Sequence, residues 1–152
     1  MDGTGPLSRM QNMNEYIELC KKLEQKENVP PNLVPATQFM FIRKSDNCLV
    51  GMILVRHYFN KFLSEFGGLI GYSVRPSERG KGYAKEMLKA TLPFCASIGL
   101  ERILITCLDD NIASERTIIA NGAIYDCTVH EPMEGVNLKR FWINPQNCMS
   151  EK

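Results

Sequence analysis

The stretch from residue 67 to residue 84, GGLIGYSVRPSERGKGYA, constrains this chain most, because it joins an apolar strand to a helix through a short basic loop. Residues 69–74 predict a buried strand, which Pro76 ends. Gly80 and Gly82 then allow a tight turn whose backbone amides are open to a ligand. Because the first N–H groups of a helix have no partner inside it, the helix that opens at Gly82 begins with a positive dipole end.

Positive side chains surround this turn, and they are Arg75, Arg79, Lys81 and Lys85. Free amides at a helix start, together with nearby cations, are the usual features of a phosphate site. A P-loop would need G-x-x-x-x-G-K-[ST], which does not occur in the chain, and a dinucleotide-binding loop would need a third glycine where Lys85 stands. The stretch therefore predicts an anion-binding loop of another kind.

Residues 79–84 read R-x-x-G-x-A between a strand and a helix. This pattern resembles the pyrophosphate-binding motif of the GNAT N-acetyltransferase superfamily, whose members bind acetyl-CoA. A surface loop without a ligand is the competing interpretation of these six residues taken alone. A second segment, thirty residues after Arg79, reads DDNIASER and is followed by Asn121-Gly122. It is similar to the N-x-x-S segment of the same superfamily, with its closing N-G.

The resemblance implies that acetyl-CoA is the cosubstrate. It implies a cofactor-binding site made of Ser73, Val74, Arg79, Gly80, Lys81, Gly82, Tyr83, Ala84, Asn111 and Ser114. Asn111 would contact the pantetheine arm, and Ser114 would lie one turn further along the same helix. The competing interpretation is that Asn111 or Asp110 simply caps the helix, and for Asn111 the two roles are compatible.

In this family two parallel neighbouring strands, residues 69–74 and 102–108 here, separate around the pantetheine arm. A bulge near Ser73 and Val74 would then turn backbone N–H groups toward the thioester carbonyl. Those donors would stabilise the negative charge that develops as an amine nitrogen attacks the acetyl carbon. The implied reaction is direct transfer to a primary amine in a ternary complex, without a covalent enzyme intermediate. Cys107 lies on one of these strands, but an apolar core thiol is the favoured interpretation over a nucleophile.

Proton transfer has weaker candidates. Glu65 and His57 lie near the expected cleft and are the candidate catalytic bases. The competing interpretation of Glu65 is a solvated carboxylate, and that of His57 is a strand-end histidine bonded to backbone. The family often places a tyrosine after the asparagine to protonate the departing thiolate. That slot is Ile118 here, or a neighbour such as Thr117, and neither can serve as that acid. Tyr125 and Tyr72 are the substitutes, with core packing as the alternative for both.

The remaining pattern predicts an α/β (α+β) chain. The predicted strands are residues 37–43, 48–57, 69–74, 102–108, 123–130 and 138–144, and the predicted helices are residues 15–26 (capped by Asn14), 82–98 and 113–120. Residues 58–66 are ambiguous, with a single helical turn as one interpretation. In the helix over residues 82–98, Pro93 is expected to cause a kink or to separate the last turn, and Gly99 is expected to be the C-cap. This order predicts a GNAT-like mixed, mostly antiparallel sheet flanked by helices.

Length and composition fit one domain. With 152 residues, 44% apolar and 23% charged, the chain is long enough for a substantial core. We expect a mobile N-terminal lead-in over residues 1–13, a single acetyltransferase domain over 14–146 and a C-terminal tail over 147–152. GNAT domains usually begin with a strand, so either this strand is missing or residues 7–10 supply a stub. A missing strand would expose residues 37–43 to pairing with another chain and favours a homodimer.

Charge and cysteine content exclude other classes. A formal charge of +1 gives no global field for nucleic acid or an anionic membrane. No apolar run is long enough for a spanning helix, and the N-terminus lacks a signal-peptide pattern, which predicts a cytoplasmic protein. The six cysteines form no C-x-x-C pair and the two histidines do not cluster, so reduced thiols and no metal site are predicted.

Three functions follow as hypotheses. The first is an acetyl-CoA-dependent N-acetyltransferase, and RHYFN followed by GGLIGYSVRPSERGKGYAKEML also resembles a bacterial branch of predicted acetyltransferases over residues 14–144. The alternative is a non-catalytic acyl-CoA-binding or regulatory domain of the same fold, which the absent tyrosine favours. The third is an interaction module with no ligand at the loop. The acceptor amine is not determined by the sequence.

Overall fold

The structure is a computed structural model that describes residues 12–146. Its helices are α1 (Met13–Leu23), α2 (Tyr83–Ser97) and α3 (Ile112–Ala120), and its strands are β1 (Ala36–Arg43), β2 (Cys48–Arg56), β3 (Ile70–Val74), β4 (Ile103–Leu108), β5 (Ile124–Glu131) and β6 (Val136–Ile143). The predicted order of elements and the mixed α/β class with antiparallel sheets and flanking helices are confirmed.

The strands form two antiparallel sheets, ordered β1-β2-β3 and β4-β6-β5. The sheets meet just before β3, where the N–H of Leu69 donates to the carbonyl oxygen of Leu104 at 2.8 Å. Gly68 permits this approach, since an added Cβ would lie 2.7 Å from the same carbonyl oxygen. No ladder continues between β3 and β4 in the described chain. A gap therefore opens between the facing edges of β3 and β4.

The first helix starts and ends earlier than predicted. The side chain of Asn12, not that of Asn14, is the N-cap, and its oxygen accepts the N–H of Asn14 at 2.8 Å. Residues Lys26–Asn28 form a separate 3₁₀ turn instead of the last helical turn. Asn12 and Asn14 flank Met13, and asparagine is a good N-cap at either position. The sequence pattern does not distinguish the two, and the prediction of Asn14 was wrong.

The second helix passes through Pro93 without losing its last turn, contrary to one predicted outcome. It ends at Ser97 with Ile98 as the C-cap, and the predicted cap Gly99 is the next residue, whose φ of +87° lies in the left-handed region. The N–H of Gly99 donates to Ala96 and that of Leu100 donates to Cys95, each at 3.1 Å. These two bonds are a Schellman motif, which satisfies the last carbonyl groups of the helix.

The core lies between the strands and α2. Its fully buried side chains include Ile53, Val55, Leu69, Leu88, Leu92, Ile103, Leu104, Ile105, Ile118 and Phe141. Gly51 on β2 lies under α2, and an added Cβ there would come within 2.6 Å of the sulfur of Met87. Because this packing fixes α2 against β2, it also fixes where the helix begins relative to β3.

Strand β1 is the outer strand of its sheet within residues 12–146. The candidate stub at residues 7–10 lies outside the described residues, so the missing first strand and the homodimer stay predictions. The described cysteines, Cys20, Cys48, Cys95, Cys107 and Cys127, are all free thiols. No helix in the described part of the chain has the length and apolar character to cross a bilayer.

Candidate active site

A cleft of about 1130 Å³ runs along β3 and continues into the gap between the two sheets. All five residues of β3 line it, as do the last three residues of β4. The loop before α2 borders it at the carboxyl end of β3, and α3 borders it below β4. Phe62, Phe66 and Gly67 border it at the amino end of β3. The cleft therefore connects the predicted anion loop with a second end that the sequence did not reveal.

The loop at the first end has open backbone amides. Gly80 and Gly82 have φ angles of +78° and +84°, and Gly82 is the N-cap of α2 without a capping side chain. The first bond of the helix is from the N–H of Glu86 to the carbonyl of Gly82 at 3.2 Å. The preceding amides, on Tyr83, Ala84 and Lys85, border the cleft and have no helical partner.

The two glycines are required by backbone conformation and not by space. An added Cβ at either would meet no atom within 4 Å. The left-handed region is costly for residues with a Cβ. The glycines consequently turn the chain so that the start of α2 faces the cleft, and they leave the volume in front of the amides open.

A charge network around one buried carboxylate, that of Glu78 at the border of the cleft, holds this loop. Glu78, only 7% exposed, accepts a bond from Nη1 of Arg43 on β1 at 2.7 Å and one from Nζ of Lys81 at 3.0 Å. The same Nη1 donates to the hydroxyl of Tyr83 at 3.2 Å. These bonds, first that from Arg43 and then that from Lys81, hold the pKa of Glu78 below its usual value. Sequence reasoning missed this network, because its members are far apart in the chain.

The cations predicted around the loop have different positions. The guanidinium of Arg79 donates from Nε to the carbonyl of Val74 at 3.2 Å and borders the cleft, as Lys85 does. Lys81 is paired with Glu78 and is not among the residues that line the cleft. Of the predicted cofactor-binding residues, Lys81 is thus the one whose side chain the structure directs elsewhere.

The edge of β3 is regular, so the predicted bulge near Ser73 and Val74 is wrong. Ser73 lies opposite Met52 in an unbroken ladder with β2, and the register shifts occur in the β1–β2 and β5–β6 pairs instead. The N–H of Arg75 donates to Val50 at 2.8 Å. Hydrogen-bonded and non-hydrogen-bonded residue pairs alternate along antiparallel strands. The N–H and C=O groups of Ser73 therefore face β2, as those of Arg75 do, and the groups of Tyr72 and Val74 face the gap. A plain strand edge therefore supplies the N–H donors.

Helix α3 brings Asn111 and Ser114 to the same cleft. Asn111 is the N-cap, and its side-chain oxygen accepts the N–H of Ser114 at 3.1 Å. The hydroxyl of Ser114 forms a 2.7 Å hydrogen bond with the hydroxyl of Tyr72 on β3. This bond between hydroxyls connects β3 to α3, the helix that follows β4.

Two side chains near the gap are unsuited to the chemical roles considered for them, Ile118 as a proton donor and Cys107 as a nucleophile. Ile118, in the slot where the resemblance implies a tyrosine, is fully buried in the core. Cys107 borders the cleft, and burial, with a smaller contribution from Glu115, raises the pKa of its thiol to about 11. The thiolate form that a nucleophile needs is therefore disfavoured at neutral pH.

The predicted bases lie away from the cleft lining. His57 is half-buried, its Nε2 lies 2.8 Å from the hydroxyl of Thr37, and burial lowers its pKa. Glu65 is exposed on the segment before β3. Neither side chain is among those that border the cleft. Both stay predictions without a contact to the site.

The second end of the cleft is a π turn, Leu63–Gly67. Side chains from three strands bind carbonyl groups in the turn and at its C-cap. Thr106 of β4 donates to Phe66 at 2.8 Å, Arg140 of β6 to Ser64 at 3.2 Å, and Arg56 of β2 to the cap residue Gly68 at 3.3 Å. The rings of Phe62 and Phe66 lie 5.8 Å apart at the cleft border. The sequence left this segment ambiguous, and the paired glycines after it were the only local signal.

An anion loop at the end of a gap between two antiparallel sheets defines a fold that can hold an extended, phosphate-bearing ligand along a strand edge. A family model described as the acetyltransferase (GNAT) family matches residues 10–118. The chain belongs to the GNAT acetyltransferase family.

Similar proteins agree with this assignment. The chain is 34% identical over 84 residues to an uncharacterised N-acetyltransferase, YnaD, of Bacillus subtilis (strain 168). The aligned segment covers 55% of this chain and 47% of that relative. The match thus spans about half the length of the curated relative. A GNAT-family acetyltransferase structure from Bacillus anthracis is 26% identical, with a TM-score of 0.59, over 72% of this chain and 66% of that one.

More distant structures share the fold alone. The ribosomal-protein-S5-alanine acetyltransferase of Vibrio fischeri has a TM-score of 0.66 at 16% identity, covering 93% of this chain and 73% of that one. A mutant form of the spermidine N-acetyltransferase SpeG of Vibrio cholerae also has a TM-score of 0.66 at 16% identity, covering 93% of this chain and 78% of that one.

Proposed function

We propose that this protein transfers an acetyl group from acetyl-CoA to a primary amine by direct attack. The observation that carries the proposal is the row of open amides on Tyr83, Ala84 and Lys85 at one end of a gap where β3 and β4 form no ladder within residues 12–146. A diphosphate fits the first feature and an extended pantetheine arm fits the second.

The residues present suit such a ligand. Amides at a helix start bind phosphate oxygens, and Arg79 and Lys85 add positive charge at the same border of the cleft. Gly80 and Gly82 leave the space before those amides clear. Along β3, the gap-facing N–H groups of Tyr72 and Val74 are placed to bind the amide and thioester carbonyls of an arm that lies beside the strand.

Acetyl-CoA supplies an acyl carbon already activated as a thioester. The protein's contribution is to hold the diphosphate at the loop, align the arm with β3 and direct strand N–H groups to the carbonyl oxygen that gains negative charge. Holding both reactants in one cleft supplies much of the rate. Direct attack accords with the raised pKa of Cys107, since a thiol kept protonated is a weak nucleophile.

The acceptor amine must lose a proton before or during attack. His57 and Glu65 are kept as candidates, either acting through water, because neither borders the cleft. Spermidine and a ribosomal protein are named as the substrates of two structural neighbours. Those two molecules differ greatly in size, so the neighbours favour no particular acceptor here. The predictions of a cytoplasmic location and a homodimer carry over as proposals.

A second candidate function is a non-catalytic acyl-CoA-binding domain. It is favoured by the buried Ile118, which leaves the implied tyrosine slot without a proton donor. Both functions use the same loop and the same strand edge, so they differ only in turnover.

The test incubates the full chain with acetyl-CoA and a panel of primary amines, and reads acetylated amine by mass spectrometry. We expect one class of amine to gain an acetyl group at a rate proportional to protein concentration. Calorimetric titration with CoA runs beside it. Binding without turnover would select the second candidate, and absence of CoA binding would overturn both.

A further inference from the structure

We propose that the π-turn end of the cleft binds a carboxylate, and that the acceptor is a primary amine joined to that carboxylate by an apolar chain. In this assignment Arg56 binds the carboxylate, and the rings of Phe62 and Phe66 contact the chain. The inference rests on the proposed function, because it names the class of acceptor for the same reaction.

Charged side chains border the cleft at three places. Two of these places, the anion loop and the turn between β5 and β6, lie toward the carboxyl ends of β3 and β4, and their members are Glu78, Arg79, Lys85, Glu131 and Glu134. The third place is the amino end of β3, where Arg56 is the one charged lining residue in the part of the chain that the structure describes. Among the lining side chains, the charge at the π-turn end is therefore positive.

Backbone and side-chain bonds both fix Arg56 at this end. Its N–H donates to the carbonyl of Leu69, the residue before β3, at 2.8 Å. Its Nη1 donates to the carbonyl of Gly68 at 3.3 Å. A guanidinium is planar and permanently charged, so a side chain held in this way presents a positive charge of defined position to a ligand in the cleft. A carboxylate is an anion whose geometry matches that group.

Two aromatic rings border the same end of the cleft. The side chain of Phe62 is 49% exposed, and its ring centroid lies 5.8 Å from that of Phe66. Ligand sites commonly combine apolar and aromatic walls with a few polar groups that fix orientation. The two rings suit a methylene chain, and Arg56 suits a singly charged group at the end of that chain.

The distance along β3 sets the length of the acceptor. With the diphosphate at the carboxyl end of β3, the thioester lies nearer the amino end than the arm's amides do, at the gap-facing N–H of Tyr72. Tyr72 is three residues after Leu69, an interval of about 10 Å at the usual rise of about 3.3 Å per residue. An α-amino acid, in which a single carbon separates the two groups, is too short for this interval. A chain of several carbons spans it.

The first test measures kcat/KM for ε-aminocaproate and for ε-aminocaproamide, which differ only in the charge of one end. We expect the wild type to prefer the carboxylate by about tenfold or more, the scale of a hydrogen bond to a charged group. Arg56→Gln should abolish the preference, and Arg56→Lys, which keeps the charge, should retain part of it. Equal losses for both acceptors in Arg56→Gln, with the preference intact, would mean that Arg56 only holds the turn, and would overturn the assignment.

The matched control is Arg102→Gln. Arg102 is exposed just before β4, its guanidinium lies 4.3 Å from the centroid of the Trp142 ring, and it does not border the cleft. The substitution removes the same charge from the same end of the sheet and should keep the wild-type preference. A preference lost equally in Arg102→Gln and Arg56→Gln would show that overall charge selects the acceptor, against the proposal.

Acceptor length and the source of the carboxylate are tested with other substrates. The kcat/KM of the wild type should rise from glycine to γ-aminobutyrate to ε-aminocaproate, and a maximum at glycine would contradict the proposed length. Succinyl-CoA, which carries its carboxylate on the acyl group, should be no better a donor to hexylamine than acetyl-CoA. If Arg56 instead selects succinyl-CoA and no acceptor, the acceptor assignment is wrong.

A binding measurement needs no turnover. Calorimetric titration of the protein saturated with CoA should give a Kd for ε-aminocaproate about tenfold or more below that for the amide, in the wild type and in Arg102→Gln. The two values should be equal in Arg56→Gln. Wild-type protein that binds CoA and acetylates other amines, but does not distinguish these two acceptors, would overturn this inference alone. Protein that does not bind CoA would overturn the proposed function.

Discussion

The two ends of the cleft are built in different ways. The anion loop at the carboxyl end of β3 depends on backbone conformation, with two left-handed glycines and the open start of α2. The π turn at the amino end depends on Arg56, Thr106 and Arg140, which bind its carbonyl groups from three strands. The first end is encoded in a few consecutive residues, and the second is encoded across the whole sheet.

This difference suggests a division of labour. Under the proposed function, the backbone site at the loop would bind the diphosphate that every acyl-CoA shares. The π turn, which side chains hold and which can change shape by substitution, would set the acceptor preference. We expect variants at the loop to change CoA binding, and variants at the π turn to change the KM for the amine.

The largest effect is expected for Gly82→Asp. The substitution forces a residue with a Cβ to a φ of +84° and brings a carboxylate to the anion site. We expect CoA affinity to fall by at least about a hundredfold, equivalent to about 3 kcal/mol, in calorimetric titration.

Gly99→Asp is the matched control, because Gly99 has a φ of +87° at the other end of the same helix and equal free space for a Cβ. It should show a similar loss of thermal stability and retain CoA binding. Equal affinity in the two variants would refute the assignment of the diphosphate to the loop.

A smaller effect is expected for Asn111→Ala. Asn111 and Asn12 are the N-caps of α3 and α1, each through its side-chain oxygen, but of the two only Asn111 borders the cleft. Each loss of a cap should cost about 1 kcal/mol of unfolding free energy. If Asn111 also contacts the pantetheine arm, Asn111→Ala weakens CoA binding by about tenfold, whereas Asn12→Ala does not. Identical binding in both variants would reduce Asn111 to a cap.

At the π turn, Thr106→Val removes the hydroxyl that binds the carbonyl of Phe66 and keeps the side-chain shape. An unpaired, partly buried carbonyl costs about 1 kcal/mol or more. We expect the KM for the amine to rise several-fold, with CoA affinity unchanged, in steady-state kinetics. Thr128→Val deletes a hydroxyl bonded to Tyr125 on the exposed strand and should change neither value. A loss of CoA affinity in Thr106→Val would show that the two ends are not separate.

The smallest effect concerns pH. Because Arg43 and Lys81 lower the pKa of Glu78, its ionised form is favoured in the folded state. Its contribution to stability is present above the unfolded value of about 4.3 and is lost as pH falls through the lower folded value. Glu78→Gln should therefore lose less stability than the wild type in acid unfolding. Glu18→Gln, which breaks an exposed pair with Lys21, should follow the wild-type curve, and parallel curves for all three would contradict the network.

The loop was readable from the sequence because its cause is local. Gly80, Gly82 and the helix after them form a pattern within a few residues, and the strand before them is apolar and ends at Pro76. The cap at Asn111 and the end of α2 at Gly99 are local for the same reason. Element bounds were accurate to one or two residues wherever such a signal existed, as at β1 and α3.

What failed depends on contacts between distant residues. Arg43 and Glu78 are thirty-five positions apart, and Ser64 and Arg140 are seventy-six apart, so no local pattern announces either bond. The expected bulge in β3 failed for a related reason, because the gap faces a regular strand edge whose partner is displaced by the way the two sheets pack.

The most direct measurement is a crystal structure of the protein grown with CoA. The account predicts diphosphate oxygens within hydrogen-bond distance of the N–H groups of Tyr83, Ala84 and Lys85, and the pantetheine arm beside β3 in the gap. A diphosphate bound elsewhere on the protein, with those amides facing solvent, would contradict it.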